Sequence, residues 1–142
     1  MADAPELILR RTLAGLLHTW GLAVYAPTGQ IPENGVKLDR PLPTTVNAVT
    51  LLTSPPTTSD GRADVLYRVQ FYTRRTGGLI PIENWAAELR DRLDQTEYTP
   101  NVLGISWAWE TSRLYFDPDT QGRAAVACTY AFRGRRHVGG SS

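Results

Sequence analysis

The sequence contains very few of the side chains that bind metals or act as nucleophiles. Cys128 is the single cysteine, and His18 and His137 are the two histidines. One cysteine cannot form an internal disulfide, and these three residues cannot supply the four ligands of a structural zinc site. We therefore expect no disulfide, no metal and no cofactor, which is consistent with a reducing cytoplasm.

Long apolar runs and an excess of one charge are also missing. The apolar runs are too short to cross a bilayer, and acidic residues stand near the N-terminus where an export signal carries basic ones. The 15 basic and 14 acidic residues leave a net charge of +1, so bulk charge does not favour nucleic-acid binding. The length of 142 residues favours one globular domain. We expect this domain at residues 1–132, followed by a basic, flexible tail at residues 133–142.

Two segments have the apolar spacing of amphipathic helices. The first covers residues 3–19, with Asp3 as its cap and Gly21 as its stop. The second runs from Pro81 to residue 95. The predicted buried stripes are Leu9, Leu13, Leu16, Leu17 and Trp20 in the first helix, and Ile82, Trp85, Ala86, Leu89 and Leu93 in the second.

Residues 64–73 and 123–132 alternate in the manner of strands with one buried face. Their inward positions are Val65, Tyr67, Val69 and Phe71, and then Ala124, Val126, Cys128, Tyr130 and Phe132. Further strands are predicted at residues 22–25, 46–52 and 102–110, the last restarting at 112–116 after a bulge. This order favours an α+β fold: a two-layer sandwich in which an antiparallel sheet of about four to five strands carries two helices on one face.

Two segments are too rich in proline and glycine for regular structure. Residues 26–45 also contain apolar residues such as Val36 and Leu38, so we predict an ordered arm rather than a flexible linker. Residues 53–63 form a polar loop that is longer than a simple hairpin needs. This loop is a candidate for contact with a partner.

No segment predicts a reactive centre. Cys128 falls on the inward side of a strand, where a buried thiol is unreactive. Residues 117–122 resemble the start of a calcium loop, but Cys128 stands where the bidentate glutamate belongs, so a hairpin turn is favoured. Gly77 and Gly78 precede a helix without a Walker lysine. We predict that the chain is not an enzyme, since even a small hydrolase needs a nucleophile–base pair.

Several short motifs occur in the order typical of one phage protein family. In chain order they are Gly21-Leu22, Pro41-Leu42-Pro43, Asn47-Ala48-Val49-Thr50-Leu51, Val69-Gln70-Phe71-Tyr72-Thr73-Arg74, Gly77-Gly78 with Pro81, and Asp119 with Gly122-Arg123. Together they span most of residues 5–133. In this pattern the chain resembles the minor capsid or tail terminator (tail-completion) proteins of siphophages, especially those of actinobacterial hosts.

The resemblance implies a structural role in the virion. Proteins of this family form a hexameric ring on the finished tail tube, stop its polymerisation and bind the head-completion (stopper) protein, while DNA passes through the lumen. The implied partners are therefore further copies of the chain, the tail tube protein and the stopper protein, with no membrane. The implied location is the neck of the virion, and the host cytoplasm during assembly.

Each subunit of such a ring needs two different contact surfaces. The candidate interface residues are Leu66, Tyr72, Arg74, Arg75, Pro55, Pro56 and Asp60. The first two would lie on the outer face of the strand at residues 64–73. The two arginines are predicted to bridge to Glu83 or Asp91 of a neighbouring copy.

The basic C-terminal tail supports an alternative function. Arg133, Arg135 and Arg136 could contact phosphates, and the chain would then be a small nucleic-acid-binding or toxin-like α+β module. Three charges alone bind nucleic acid weakly and in a salt-sensitive way. A solvated terminus explains the same residues equally well.

Overall fold

The computed structural model describes residues 3–55 and 64–135, which form two helices and six strands. The helices are α1 (Pro5–Thr19) and α2 (Leu79–Leu93). The strands are β1 (Gly35–Lys37), β2 (Val49–Thr53), β3 (Asp64–Thr76), β4 (Thr96–Glu97), β5 (Trp107–Phe116) and β6 (Arg123–Arg135). The predicted α+β class is confirmed.

The described strands form one sheet in the order β1-β2-β3-β6-β5-β4. β1 runs parallel to β2, whereas the other neighbouring pairs are antiparallel. The sheet is therefore mixed and six-stranded, which corrects the prediction of an antiparallel sheet with fewer strands. The difference lies at the two edges, because β1 has three residues and β4 has two. Such short strands show no alternation that a sequence could reveal.

The end of α1 follows its prediction, but the start does not. Gly21 has a φ of 77°, which glycine adopts without steric cost. The amide of Leu22 donates to the carbonyl of Leu17 at 2.9 Å, the closing bond of a Schellman motif. Asp3 does not cap the helix and instead forms an ion pair with Arg11.

One hydrophobic core joins both helices to the inner face of the sheet. The predicted stripe of α2 is buried throughout, and that of α1 is buried except for the partly buried Leu16 and Trp20. The alternating inward positions predicted for β3 and β6 are all buried as well. At the centre, the rings of Phe71 and Tyr130 meet edge to face with their centroids 5.5 Å apart, a favoured aromatic geometry.

Two predicted strand segments are irregular instead. At residues 22–25, Val24 makes only an isolated bridge to Gly35. At residues 102–106 the chain turns, because Leu103 and Gly104 both have positive φ angles of 56° and 65°. β5 consequently begins at Trp107, and its predicted bulge is confirmed between Glu110 and Ser112.

The two long strands extend further than predicted. β3 continues to Thr76, so Arg74 and Arg75 belong to the sheet rather than to a turn. β6 continues to Arg135, so Arg133 and Arg135 belong to the sheet rather than to a tail beginning after residue 132. Four arginines that were expected in loops are thus held at defined positions on a rigid element.

Candidate assembly interface

The outer face of the sheet, opposite the core, carries a band of apolar side chains at one end. The strand register places one residue from each of four strands in a single row across the sheet. In order, these residues are Leu51 of β2, Tyr72 of β3, Ala127 of β6 and Leu114 of β5. Phe116 follows in the next row, with its ring centroid 5.8 Å from that of Tyr72. Leu114 is 59% exposed and Phe116 is 41% exposed. We call Leu51, Tyr72, Leu114 and Phe116 the apolar strip.

The apolar strip continues into a groove beside the arm. The groove has a volume of about 400 Å³, and it is lined by Arg40, Pro41, Leu42, Leu51, Gln70 and Tyr72. Proline, leucine and tyrosine surfaces suit an apolar ligand or side chain more than a charged one. The outer face therefore presents both a flat and a concave apolar surface.

A bulge in β5 places the strip on this face. Glu110 pairs with Tyr130, but Ser112 pairs with Thr129, so Thr111 is an extra residue. Such a bulge shifts the alternation of a strand by one position. Because of this shift, Leu114 lies on the same side of the sheet as Trp109, although the two residues are separated by an odd number of positions.

Arg74 fastens the arm to the outer face. Its side chain is buried, and its Nη2 donates to the carbonyl of Pro43 at 2.6 Å and to that of Val46 at 2.9 Å. Burial, followed by repulsion from Arg123, lowers the pKa of Arg74. Arg123 itself donates to the carbonyl of Thr44 at 3.2 Å. Two buried cations therefore hold residues 43–46 against the sheet.

Arg75 fastens the start of the arm on the opposite face. Its Nη2 donates to the carbonyl of Leu22 at 3.1 Å and to Oδ1 of Asn34 at 2.5 Å. Its guanidinium also lies 5.9 Å from the ring centroid of Trp85, within range of a cation–π interaction. Burial lowers the pKa of Arg75. Both arginines thus bind their own chain, which differs from the predicted bridges to a neighbouring copy.

The other end of the outer face is aromatic and cationic. Arg133 of β6 pairs with Leu66 of β3 on one side and with Trp107 of β5 on the other. Two residues further along each outer strand, Arg68 and Trp109 lie on the same face of the sheet. The two arginines are exposed, and the two tryptophans are half-buried. A shallow groove of about 390 Å³ is lined here by Gln95, Trp107, Trp109 and Arg133. We call this region the Trp/Arg region.

The structure therefore separates the residues predicted for the interface. Tyr72 lies in the apolar strip, whereas Leu66 lies in the Trp/Arg region at the other end. Pro55 is exposed just after β2. Three further candidates lie outside the described residues: Pro56, Asp60 and Arg136.

The residues that dominate the outer face were missed by sequence reasoning. Leu114 and Phe116 belong to a short apolar run, Leu114-Tyr115-Phe116, that ends β5. Three consecutive exposed apolar side chains in a strand are an unusual pattern for a solvated surface. That run could have indicated an exposed apolar surface. The face of the sheet on which Leu114 and Phe116 lie, however, depends on the bulge at Thr111.

The described residues offer few groups for metal binding or nucleophilic chemistry. No group of three or more His, Cys, Asp or Glu side chains in residues 3–55 and 64–135 is placed to hold a metal ion. No helix in these same ranges is long and apolar enough to span a bilayer. Burial, followed by the nearby Glu110 carboxylate, raises the pKa of Cys128 to about 12. Its thiol is therefore protonated at neutral pH.

Comparison with protein-family models and with curated proteins yields no relative. The chain matches no protein-family model, and no curated protein is detectably similar to it. Its function must therefore be argued from the surfaces described above.

Proposed function

We propose that this chain is a structural protein of a long-tailed phage: a tail terminator whose copies form a hexameric ring on the finished tail tube. The ring would bind the stopper protein on its other side, and DNA would pass through its lumen. The protein would reside at the virion neck, after assembly in the host cytoplasm. The observation that carries the proposal is the apolar strip, in which Leu114 and Phe116 are exposed, beside an arm that Arg74 holds against the sheet.

The layering of the fold supports this use of the strip. We propose a two-layer arrangement in which both helices cover one face of the sheet, while the opposite face has no helical layer. Exposed, clustered leucine and aromatic side chains on such a face are typical of a protein contact. The rigid arm adds a groove to that contact, and rigid surfaces lose less entropy on binding.

A ring needs a second surface on each subunit, since its contacts run head to tail. The start of α2 offers one, because Leu79 is 42% exposed and Ile80 is 72% exposed. These side chains belong to the helical layer, whereas the apolar strip belongs to the outer face of the sheet. An apolar strip on one copy and an apolar helix end on the next would bury each other.

Electron microscopy of the protein mixed with tail tubes tests the proposal. We expect a ring at one end of each tube, with six times the 15.7 kDa protomer mass. Phe116→Ser should abolish the ring, whereas Tyr98→Ser, at a 66% exposed aromatic outside the strip, should not. A wild-type chain that never binds tubes would refute the role.

A specific observation also favours the nucleic-acid-binding alternative. In the Trp/Arg region, Arg68 and Arg133 flank the half-buried Trp107 and Trp109 on one sheet face. Aromatic rings stack on unpaired bases and arginines contact phosphates in proteins that bind single strands. This site is on the sheet rather than in the tail.

Fluorescence titration with single-stranded DNA at several salt concentrations tests this alternative. Arg68→Gln with Arg133→Gln should weaken binding and reduce its salt dependence. Removal of residues 136–142 should leave most of the binding intact. Equal loss with both variants would place the site in the tail instead, and no binding by the wild type would exclude the alternative.

A further inference from the structure

One edge of the sheet is open along most of β5. On one side β5 pairs with β6 throughout, but on the other side β4 pairs only with Trp107 and Ala108. The amide of Glu110 donates to Oδ1 of Asp94 at 2.8 Å. Beyond that point, residues 111–116 have no strand partner on this side among the described residues. Backbone amide and carbonyl groups on this side of residues 111–116 are therefore available to pair with another strand.

The opposite edge of the sheet is closed by contrast. The amide of Val24 donates to the carbonyl of Asn34 at 2.8 Å, and the amide of Val36 donates to the carbonyl of Val24 at 3.1 Å. A segment of the chain thus covers β1, although it forms no regular strand itself. The fold protects one edge and leaves the other available.

The open edge has few of the devices that normally prevent edge-to-edge pairing. Proteins protect exposed edges with lysine, proline, unpaired charges or bulges. Residues 111–116 contain no lysine or proline, and the bulge at Thr111 lies at the start of the stretch, so residues 112–116 pair regularly with β6. The one charged side chain, Arg113, is occupied by Glu110 through bonds of 3.1 Å and 3.2 Å. Leu114, Tyr115 and Phe116 are exposed beside the open backbone.

We infer that residues 112–116 of two copies of this chain pair antiparallel through this edge, joining two sheets into one. A register centred on Leu114 keeps each residue on the same face as its partner. It sets the two leucines opposite each other, Ser112 opposite Phe116 of the second copy, and Arg113 opposite Tyr115 of the second copy. Like charges opposite one another are destabilising, and this register keeps the two arginines apart.

The two-fold contact goes beyond the proposed ring and does not depend on it. A contact of a surface with itself closes after two copies, whereas a ring contact joins two different surfaces. Paired edges would cover Leu114 and part of the apolar strip in the free protein. The dimer would then be the state of the chain before it meets a tube or another partner.

Cross-linking through an introduced cysteine tests the pairing directly. Leu114→Cys places a thiol opposite its own copy, at a separation that permits a disulfide between facing strand residues. The native Cys128 is buried and protonated, so it gives little background. We expect a covalent dimer of Leu114→Cys under mild oxidation and no dimer of Tyr98→Cys. A Leu114→Cys chain that stays monomeric, or equal cross-linking of both variants, would overturn the inference.

Light scattering of the free protein, without tubes, provides an independent measurement. The wild type should have twice the protomer mass, and Leu114→Lys should have the mass of one protomer with an unchanged circular dichroism spectrum. Its melting temperature should fall only by the amount that dimerisation contributes. A lysine on the edge opposes a second lysine at the same position. A monomeric wild type at high concentration, or a mass that Leu114→Lys does not lower, contradicts the pairing. Ring formation on tubes is measured separately, so either idea can fail alone.

Discussion

The two faces of the sheet are both buried along β6, but by different means. On the inner face, large side chains such as Tyr130 and Phe132 pack against the helices. On the outer face, the small residues Ala125, Ala127 and Ala131 are buried, while the neighbouring Phe116 remains 41% exposed. On the inner face, the large side chains of β6 therefore fill the core themselves. On the outer face, side chains of adjacent strands and the arm cover the small residues of β6. This difference separates residues that stabilise the fold from residues that are available for contacts.

The largest expected effect comes from emptying the inner face. Phe71→Ala should cost about 3–5 kcal/mol of the free energy of unfolding, because it leaves a cavity beside Tyr130. Tyr72→Ala, one residue along on the outer face, should cost less than half as much. Urea denaturation of both variants measures the difference. Equal costs would show that the two faces contribute alike to stability.

A smaller effect is expected from releasing the arm on the outer face. Arg74→Met removes both hydrogen bonds to the carbonyls of Pro43 and Val46, at a cost of about 2–3 kcal/mol. The matched control is Arg68→Met, an exposed arginine on the same face, which should change stability by less than about 0.5 kcal/mol. Hydrogen exchange at residues 43–48 should accelerate in the first variant alone. If it does not, the arm is held by other contacts.

The inner face also predicts a pH dependence. The pKa of Cys128 is raised to about 12 by burial, from an ordinary value of 9.0. Above the ordinary value the unfolded thiol loses its proton while the folded thiol keeps it, so stability falls as the pH rises from 9 towards 12. In Cys128→Ala, the free energy of unfolding should fall less steeply with pH over this range, by at most about 1.4 kcal/mol per pH unit. Urea denaturation at several pH values measures the difference.

Native thiol labelling gives a second measurement of the same pKa. At pH 8 a disulfide reagent should react with Cys128 only as fast as the protein unfolds, since the thiolate is the reactive form. Rapid labelling of the folded chain would contradict the burial of this side chain. The Tyr98→Cys variant, at a position where the native side chain is 66% exposed, provides the positive control.

The smallest effect on stability is expected on the apolar strip. Phe116→Ser should change the free energy of unfolding by about 1 kcal/mol, because the side chain is 41% exposed and is only partly covered by neighbours such as Tyr72. The same variant should lose binding to tubes, if the strip is a contact surface. A large loss of stability would instead assign Phe116 to the fold.

Sequence reasoning predicted the features that depend on local periodicity. The stripe of α2 and the inward positions of β3 and β6 are confirmed because each burial pattern repeats within one element. The stop at Gly21 is confirmed because a single residue type determines it. The bulge after Glu110 is confirmed as well, although its effect on the outer face was not foreseen.

Features that depend on distant partners were not predictable in the same way. Arg74 and Arg75 bind carbonyl groups of Pro43 and Leu22, far away in the sequence, and no local pattern indicates such partners. The short segments β1 and β4 are strands because they pair with β2 and β5, and their own composition does not indicate a strand. The apolar strip combines residues from three strands, so it emerges only once the register is known.

The bulge at Thr111 has a geometric consequence for how partners approach. A bulge bends its strand and increases the local twist, and this one lies between Trp109 and Leu114. The Trp/Arg region and the apolar strip are therefore tilted relative to each other instead of sharing one plane. Two molecules could then dock on the same side of the sheet along diverging directions, without colliding.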